Sequence, residues 1–302
     1  MSATARIPAV ADVRRGEPMS RHTSWRVGGP AEVFFRPRTR DELVNFLKEL
    51  DPATPLLWVG LGSNLLVRDG GVRGIVIATA KALGESRRLD AGMVEAGAGV
   101  PCTALARRCA RWGLGPAEFL AGIPGTVGGA LTMNAGAFGG ETWDRVSAVD
   151  TVDRAGVVRR RTPADYQIGY RHVSGPAAEW FLSAQFQFDA VDDDALERLR
   201  GMLAQREASQ PLGEPSCGSV FRNPPGDHAA RLIDTAGLKG YAIGGAVVSE
   251  KHANFIINSG GATAADIEQL IEHVRVTVTK RHGVTLVPEV HVVGEPAEGA
   301  AR

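Results

Sequence analysis

The 302-residue chain is 44% hydrophobic and 23% charged, and its 34 basic side chains equal its 34 acidic ones. That length allows two or three modules with a sizeable core, and the charge balance gives no net field to draw in nucleic acid or an anionic membrane. Three cysteines without C-x-x-C spacing and seven scattered histidines argue against a disulfide framework or a metal site, no segment approaches a membrane span or a signal peptide, and a reducing cytoplasm is expected.

Residues 1–18 are polar and Pro-containing, and read as a loose arm. A strand is expected at Ala31–Phe35. Thr39-Arg-Asp-Glu42 then reads as a capping box, opening a helix whose Leu43, Phe46, Leu47 and Leu50 share one face. Apolar runs at Leu56–Val59 and Ile75–Ala78 flank the turn GLGSNLLVRDGG. From Ala82 to Phe188 short β-like segments dominate, interrupted by one helix with Pro101 expected at its first helical position and Leu105, Cys109 and Trp112 inward. Asp192-Asp-Asp194 suits the positive end of a helix running to about Ala208, and a domain boundary is placed near it. A last helix opens at Thr263, turns Ile267, Leu270, Ile271, Val274 and Val278 inward, and stops at Gly283.

The segment Glu118–Gly140, EFLAGIPGTVGGALTMNAGAFGG, holds seven glycines in 23 residues and hardly a charge. Its Phe119, Leu120, Ile123, Val127, Leu131 and Met133 want burial, so it is no linker. Glycine there lets the backbone approach something closely, either a neighbouring segment in a packed turn or the phosphates of a large cofactor. A second glycine loop, Gly60-Leu-Gly62-Ser63-Asn64, nearly forms the dinucleotide fingerprint, but Leu65 replaces its third glycine and a strand follows where a helix is needed. A P-loop is absent as well. Two loops, 60–64 and 122–129, with Ser63, Asn64, Thr126 and Asn134 beside them, could hold two ends of a dinucleotide.

GLGSNLLV followed by EFLAGIPGTVGGALTMNAGAFG resembles the flavin-binding half of the UDP-N-acetylenolpyruvoylglucosamine reductases, within the vanillyl-alcohol-oxidase (PCMH) type of FAD proteins. The resemblance continues through HTSWRVGGPAEVFF, YQIGYR at 166–171, PSCGSVFRNP at 215–224, IDTAGLKGYAIGGAVVSEKHANFIIN at 233–258 and LVPEV at 286–290. It implies an α+β fold: a two-module FAD-binding domain over 19–190 (about 19–80 and 81–190), then a C-terminal α+β substrate-binding domain over 191–295. The cofactor contacts would come from Gly60, Gly62, Ser63, Asn64, Gly122, Gly125, Thr126, Gly128, Gly129 and Asn134. The FAD would be non-covalent, since neither glycine loop contains a histidine. The segment from Arg171 to residue 194 is too short for the family's long tyrosine-bearing insertion, which places the chain with the shorter, type II branch.

The family reduces UDP-N-acetylglucosamine enolpyruvate to UDP-N-acetylmuramate for peptidoglycan, with NADPH as co-substrate. Hydride addition to the alkene leaves negative charge running into the substrate carboxylate, so the site needs fixed cationic or hydrogen-bonding groups and a nearby acid. By resemblance, Arg171 and Glu289 stabilise the enolate, Ser219 delivers the proton and Asn223 contacts the nucleotide. The residue types suit these tasks independently: arginine stays charged and can clamp a carboxylate bidentately. Cys217, two residues from Ser219, is read as packing, because hydride transfer needs no thiolate. Val173 departs from the serine often found there. Two other readings remain: a sugar or alcohol oxidase on the same scaffold, and a flavin or UDP-sugar binding module without turnover.

Overall fold

A computed structural model describes residues 12–191 and 194–299. The first described strand is β1 (Val13–Pro18), where part of a loose arm was expected, followed by β2 (Pro30–Phe35); residues 1–11 of that arm lie outside the described residues. Helix α1 spans Arg40–Glu49. Thr39 Oγ1 accepts the Glu42 amide at 3.1 Å, as the capping box requires. The Glu42 carboxylate reaches one residue further back and takes the Arg38 amide, so the box closes on the wrong side of Thr39. β3 (Leu56–Val59), β4 (Leu65–Val67) and β5 (Val72–Ala78) follow, and β3 pairs with β5 in parallel, Leu56 opposite Ile75 and Val59 opposite Ala78. The sheet order is β1-β2-β5-β3.

Two compact units divide the chain, and neither is continuous in sequence. The described residues of the first are 12–14, 33–61, 74–191 and 194–205; those of the second are 15–32, 62–73 and 206–299.

The first unit has two cores. One lies under α1, where Leu43, Phe46, Leu47 and Leu50 pack with Phe35, Ile75, Ile77 and Leu182. The other is built on a five-stranded antiparallel sheet, whose order is Val158–Arg161, Val146–Asp153, Glu179–Gln187, then β7 (Met93–Gly97) and β6 (Ser86–Arg88). Helix α2 (Cys102–Arg111) buries Leu105 and Cys109 in that core, and Trp112 packs against it; Pro101 sits at its N-cap, one position before the first helical turn. The glycine run contains a further helix, α3 (Val127–Met133). Its glycines argue against helix on propensity, but Val127, Ala130 and Leu131 are buried and Thr126 Oγ1 caps the Gly129 amide at 3.4 Å. α4 spans Ala195–Ser209; Asp192 and Asp193 of the proposed acidic start lie outside the described residues.

In the second unit, β4 pairs in parallel with the strand His291–Val293. A three-stranded sheet, Ala242–Ile243, Ala246–Val248 and Ile256–Asn258, accompanies α5 (Ala229–Thr235) and α6 (Ala264–His282). α6 starts in a capping box between Thr263 and Asp266 and ends at Gly283 in the left-handed conformation (φ 69°). Ile267, Leu270, Ile271, Val274 and Val278 enter a core with Trp25, Val27, Leu66, Phe221 and Ile233. Among the described residues no helix is long and apolar enough to cross a membrane.

Candidate active site

Within the first unit, the end of β3 and the start of α3 border a cleft of about 330 Å³. Gly60, Thr126, Gly128 and Gly129 form its glycine side; Trp58, Tyr166, Val173, Glu179, Trp180 and Phe181 are among the rest. The glycines there answer two different demands. A Cβ on Gly60 would meet Thr126 Oγ1 at 2.4 Å, and one on Gly128 would meet Ala98 Cβ at 3.0 Å, so both let chain segments touch. The Gly128 amide is already donated to Ala98 O at 2.8 Å, which removes it from the donors expected for a phosphate. Gly122 is likewise packed, its Cβ position lying 2.3 Å from Ala137 Cβ. Gly129 differs: it is exposed, and a Cβ there would find only Thr126 Oγ1, at 3.8 Å. That is the glycine whose missing side chain leaves open space for a ligand.

Two further features fit a cofactor in this cleft. Trp58 Nε1 and the Tyr166 hydroxyl are buried without a hydrogen-bond partner, and a chain does not ordinarily abandon buried donors that nothing else will satisfy. The Tyr166 hydroxyl is held neutral, its pKa pushed up to about 12 by burial and by the nearby Glu179 charge. It is therefore a donor at any working pH.

Arg171 stands at the other end of α3. Asn134 closes that helix in the left-handed conformation (φ 47°). Its side chain is committed inside the protein: Nδ2 donates to Glu141 Oε2 at 2.7 Å and to Gly169 O at 3.2 Å, and Oδ1 accepts the Trp143 amide at 3.1 Å. Asn134 was expected to touch the cofactor; the structure shows it fixing the local backbone. Arg171 donates to Asn134 O at 3.3 Å and to Gly136 O at 2.8 Å, lies 3.8 Å from Glu141 Oε1, and has its guanidinium 5.0 Å from the Tyr170 ring centroid. Its own backbone is left-handed (φ 52°), a conformation costly for a side-chain-bearing residue and common at functional positions. The guanidinium has five N–H groups, and carbonyl oxygens fix its direction without neutralising it.

Ser219, Asn223 and Glu289 belong to the second unit, as do Gly62, Ser63 and Asn64. The segment after Gly218 (φ 80°) runs beside the LVPEV segment: Glu289 N donates to Val220 O at 2.7 Å, Phe221 bridges Pro288, and Arg222 N donates to Val287 O at 2.9 Å. Glu289 and Ser219 are thus carried by two hydrogen-bonded segments. Asn64 Nδ2 donates to Glu289 O at 3.0 Å, and Asn64 O accepts the His291 amide at 3.1 Å, so Asn64 positions the segment that carries Glu289. Gly62 is left-handed (φ 63°), and a Cβ on it would lie 2.0 Å from His22 O. Asn223 Oδ1 accepts the Ala229 amide at 3.1 Å. Burial, reinforced by the Glu289 charge, raises the Cys217 thiol well above its ordinary pKa. Such a thiol stays neutral, as a packing role requires.

Asn254 was not singled out from the sequence, although it lies in the KHANF block. Buried between Ala253 and Phe255, its amide is a signal that could have been read, because a buried amide needs partners. Among the described residues, no group of three or more His, Cys, Asp or Glu is placed to hold a metal.

Residues 31–161 match the FAD binding domain family and, with the relatives that follow, place the chain among the flavin oxidoreductases, with an α+β fold. Residues 210–293 match the UDP-N-acetylenolpyruvoylglucosamine reductase C-terminal domain. The UDP-N-acetylenolpyruvoylglucosamine reductase of Alkalilimnicola ehrlichii is 63% identical over 285 residues, covering 94% of this chain and 95% of its own. That of Methylococcus capsulatus is 57% identical over 280 residues, 92% of each. The crystal structure of UDP-N-acetylenolpyruvylglucosamine reductase (MurB) from Thermus caldophilus superposes with a TM-score of 0.79 at 33% identity, covering 95% of this chain and 99% of that one. The chain belongs to the UDP-N-acetylenolpyruvoylglucosamine reductase family.

Proposed function

We propose that this protein reduces the enolpyruvyl ether of UDP-N-acetylglucosamine to the lactyl ether of UDP-N-acetylmuramate, with non-covalent FAD as cofactor and NADPH as reductant. When bound, the flavin would supply the hydride-transfer chemistry. The chain's own residues do the rest. Arg171, aimed by Asn134 O and Gly136 O, clamps the substrate carboxylate into which charge flows. Ser219 hands a proton to the enol carbon, and the Glu289 carboxyl group supports the enolate. Asn223 retains its Nδ2 donors for the nucleotide, since Oδ1 serves Ala229. Gly129 and its neighbours admit the cofactor to the cleft. Residues 19–190 form the flavin-binding part and 191–295 the substrate-binding part, although 19–32 and 62–73 cluster with the latter and 194–205 with the former.

The observation that carries this reading is the 2.7 Å hydrogen bond from Glu289 N to Val220 O, which joins the two segments bearing the acid and the carboxylate. Three buried, unpaired cysteines are in keeping with a reducing, cytoplasmic setting. The test is anaerobic: NADPH added to the yellow protein should bleach the flavin absorbance, and the enolpyruvyl sugar nucleotide should restore it. No bleaching by NADPH, but bleaching by a sugar or alcohol with recovery on admitting oxygen, would favour an oxidase, and no bleaching by either a binding module.

A further inference from the structure

We infer that Glu141 is a positioning residue for the sugar-nucleotide step, acting through Arg171: its carboxylate, pinned by the Asn134 side chain, holds the guanidinium in place as a charge. The inference rests on the reading of Arg171 as the clamp for the substrate carboxylate.

An arginine alone is poorly suited to that task, because its long side chain has many rotamers to lose. Arg171 stands at the tip of the hairpin that pairs Gln167 with Ser174 and Gly169 with His172. Unless such a group is held before the substrate arrives, ordering it costs rate. The carbonyls of Asn134 and Gly136 fix two N–H directions but carry no net charge. Glu141 adds the charge.

Its place is set by a second, smaller hairpin. The short strands Gly136–Ala137 and Gly140–Glu141 pair antiparallel, with Glu141 opposite Gly136. Phe138 and Gly139 join them with φ of 51° and 82°, the positive pair that a tight two-residue turn of this kind requires. One strand thus supplies the carbonyl that Arg171 meets at 2.8 Å, and the facing residue supplies the carboxylate, 3.8 Å from Nη1. A Cβ on Gly136 would lie 2.4 Å from Gly140 O and 3.1 Å from Glu141 Cγ, so glycine there leaves the Glu141 stem its room.

Glu141 is anchored at both ends. Its amide donates to Asp144 Oδ2 at 3.0 Å, and its Oε2 accepts a hydrogen bond from Asn134 Nδ2 at 2.7 Å. The 3.8 Å separation from Arg171 exceeds a hydrogen bond, so the carboxylate attracts the guanidinium without taking an N–H through Oε1. The two side chains are 17% and 31% exposed, and salt screens such a pair less than one fully in water. The sign of the effect follows. Glu141 aligns the arginine, yet its own negative charge opposes the arriving carboxylate. Removing that charge should slow the reaction without weakening substrate binding.

Glu141→Gln keeps the length and the acceptor for Asn134 and removes only the charge. The test uses FAD-loaded protein reduced anaerobically with NADPH and then mixed with the enolpyruvyl sugar nucleotide. Recovery of flavin absorbance at saturating substrate should slow ~10-fold or more, as a displacement of under an ångström can cause, and by more than bleaching by NADPH slows. The half-saturating substrate concentration should not rise. In an Arg171→Ala background the same substitution should cost no further rate, because its effect passes through the guanidinium. Wild-type recovery in Glu141→Gln, beside slow recovery in Arg171→Ala, overturns the inference and leaves the reading of Arg171 standing. An additive loss in the double variant also overturns it, as the mark of a general structural role. So does a raised half-saturating concentration at an unchanged rate, which would make Glu141 a substrate contact. Wild-type recovery in Arg171→Ala removes both the inference and the reading beneath it.

Discussion

Asn254 grips both polar groups of one neighbouring peptide residue: its Oδ1 accepts the Phe221 amide at 3.0 Å and its Nδ2 donates to Phe221 O at 2.8 Å. Its own carbonyl takes the Val220 amide at 2.9 Å. A side chain 3% exposed thereby imitates a strand partner for the segment that follows Ser219.

Asn254→Ala should lower stability by about 2–4 kcal/mol, because it removes two hydrogen bonds and leaves buried groups on Phe221 unsatisfied. Urea unfolding measures this. The variant should also slow the sugar-nucleotide half-reaction more than reduction by NADPH, since Ser219 is carried by the released segment. Equal slowing of both halves would make Asn254 a purely global stabiliser.

The two glycine loops should respond differently to a side chain. Gly129→Ala meets little within the chain, so the flavin-free protein should keep its melting temperature while losing FAD affinity. Gly62→Val faces His22 O and a positive φ, so it should depress the melting temperature even without flavin. Thermal melts with and without FAD distinguish the cases. A Gly129→Ala protein that binds FAD normally would remove that glycine from the cofactor site.

Much of the fold was legible because some signals are local. Thr39 before α1 and Thr263 before α6 announce helices through side-chain oxygens that need a nearby amide, and the apolar stripes that follow were buried as their spacing required. α3 was illegible for the opposite reason: its glycines disfavour helix, and long-range burial of Val127, Ala130 and Leu131 overrides them. The interleaving of the two units was hidden too. It depends on partners such as the Trp25 indole and Ile256 O, 2.7 Å apart in space and 231 positions apart in sequence. At the site, residue identity came from motif, but aim did not. Neither the left-handed backbone of Arg171 nor the commitment of Asn134 and Asn64 to positioning can be read from residue type.

Stability should fall on mild acidification. Burial, and then the charge of Lys239, lowers the pKa of His252, whose Nδ1 is buried without a partner. In the unfolded chain this histidine takes a proton near pH 6.5. As pH falls from about 6.5 toward its lower native pKa, the unfolded state binds more protons than the native state, so stability is present above that window and lost within it. His291, lowered by burial and then by Arg222, contributes with the same sign. Urea midpoints at pH 7.5 and 5.5 should differ less in His252→Gln than in wild type; an unchanged difference would assign the loss to other groups.

Dividing the reaction tests the three proposed catalytic residues. Proton delivery belongs to the sugar-nucleotide step alone, so Ser219→Ala should bleach normally with NADPH. Its recovery of flavin absorbance on adding the enolpyruvyl substrate should slow by at least ~10²-fold, the lower end for a lost general acid. Glu289→Gln should slow the same half, and because its backbone bond to Val220 survives the change, the loss would report the carboxyl group and not the segment's backbone pairing. Arg171→Ala should slow that half and also weaken substrate binding, since an arginine oriented by two carbonyls meets the carboxylate before the reaction as well as during it. Cys217→Ala is the control: a thiol kept neutral by burial beside Glu289 has no step to perform, and the variant should behave as wild type apart from a small packing loss. Normal recovery in Ser219→Ala would take the serine out of the mechanism, leaving Glu289 or water as the proton source, and a defect in Cys217→Ala matching that of Ser219→Ala would mean that the loop's packing, not the hydroxyl, had been measured.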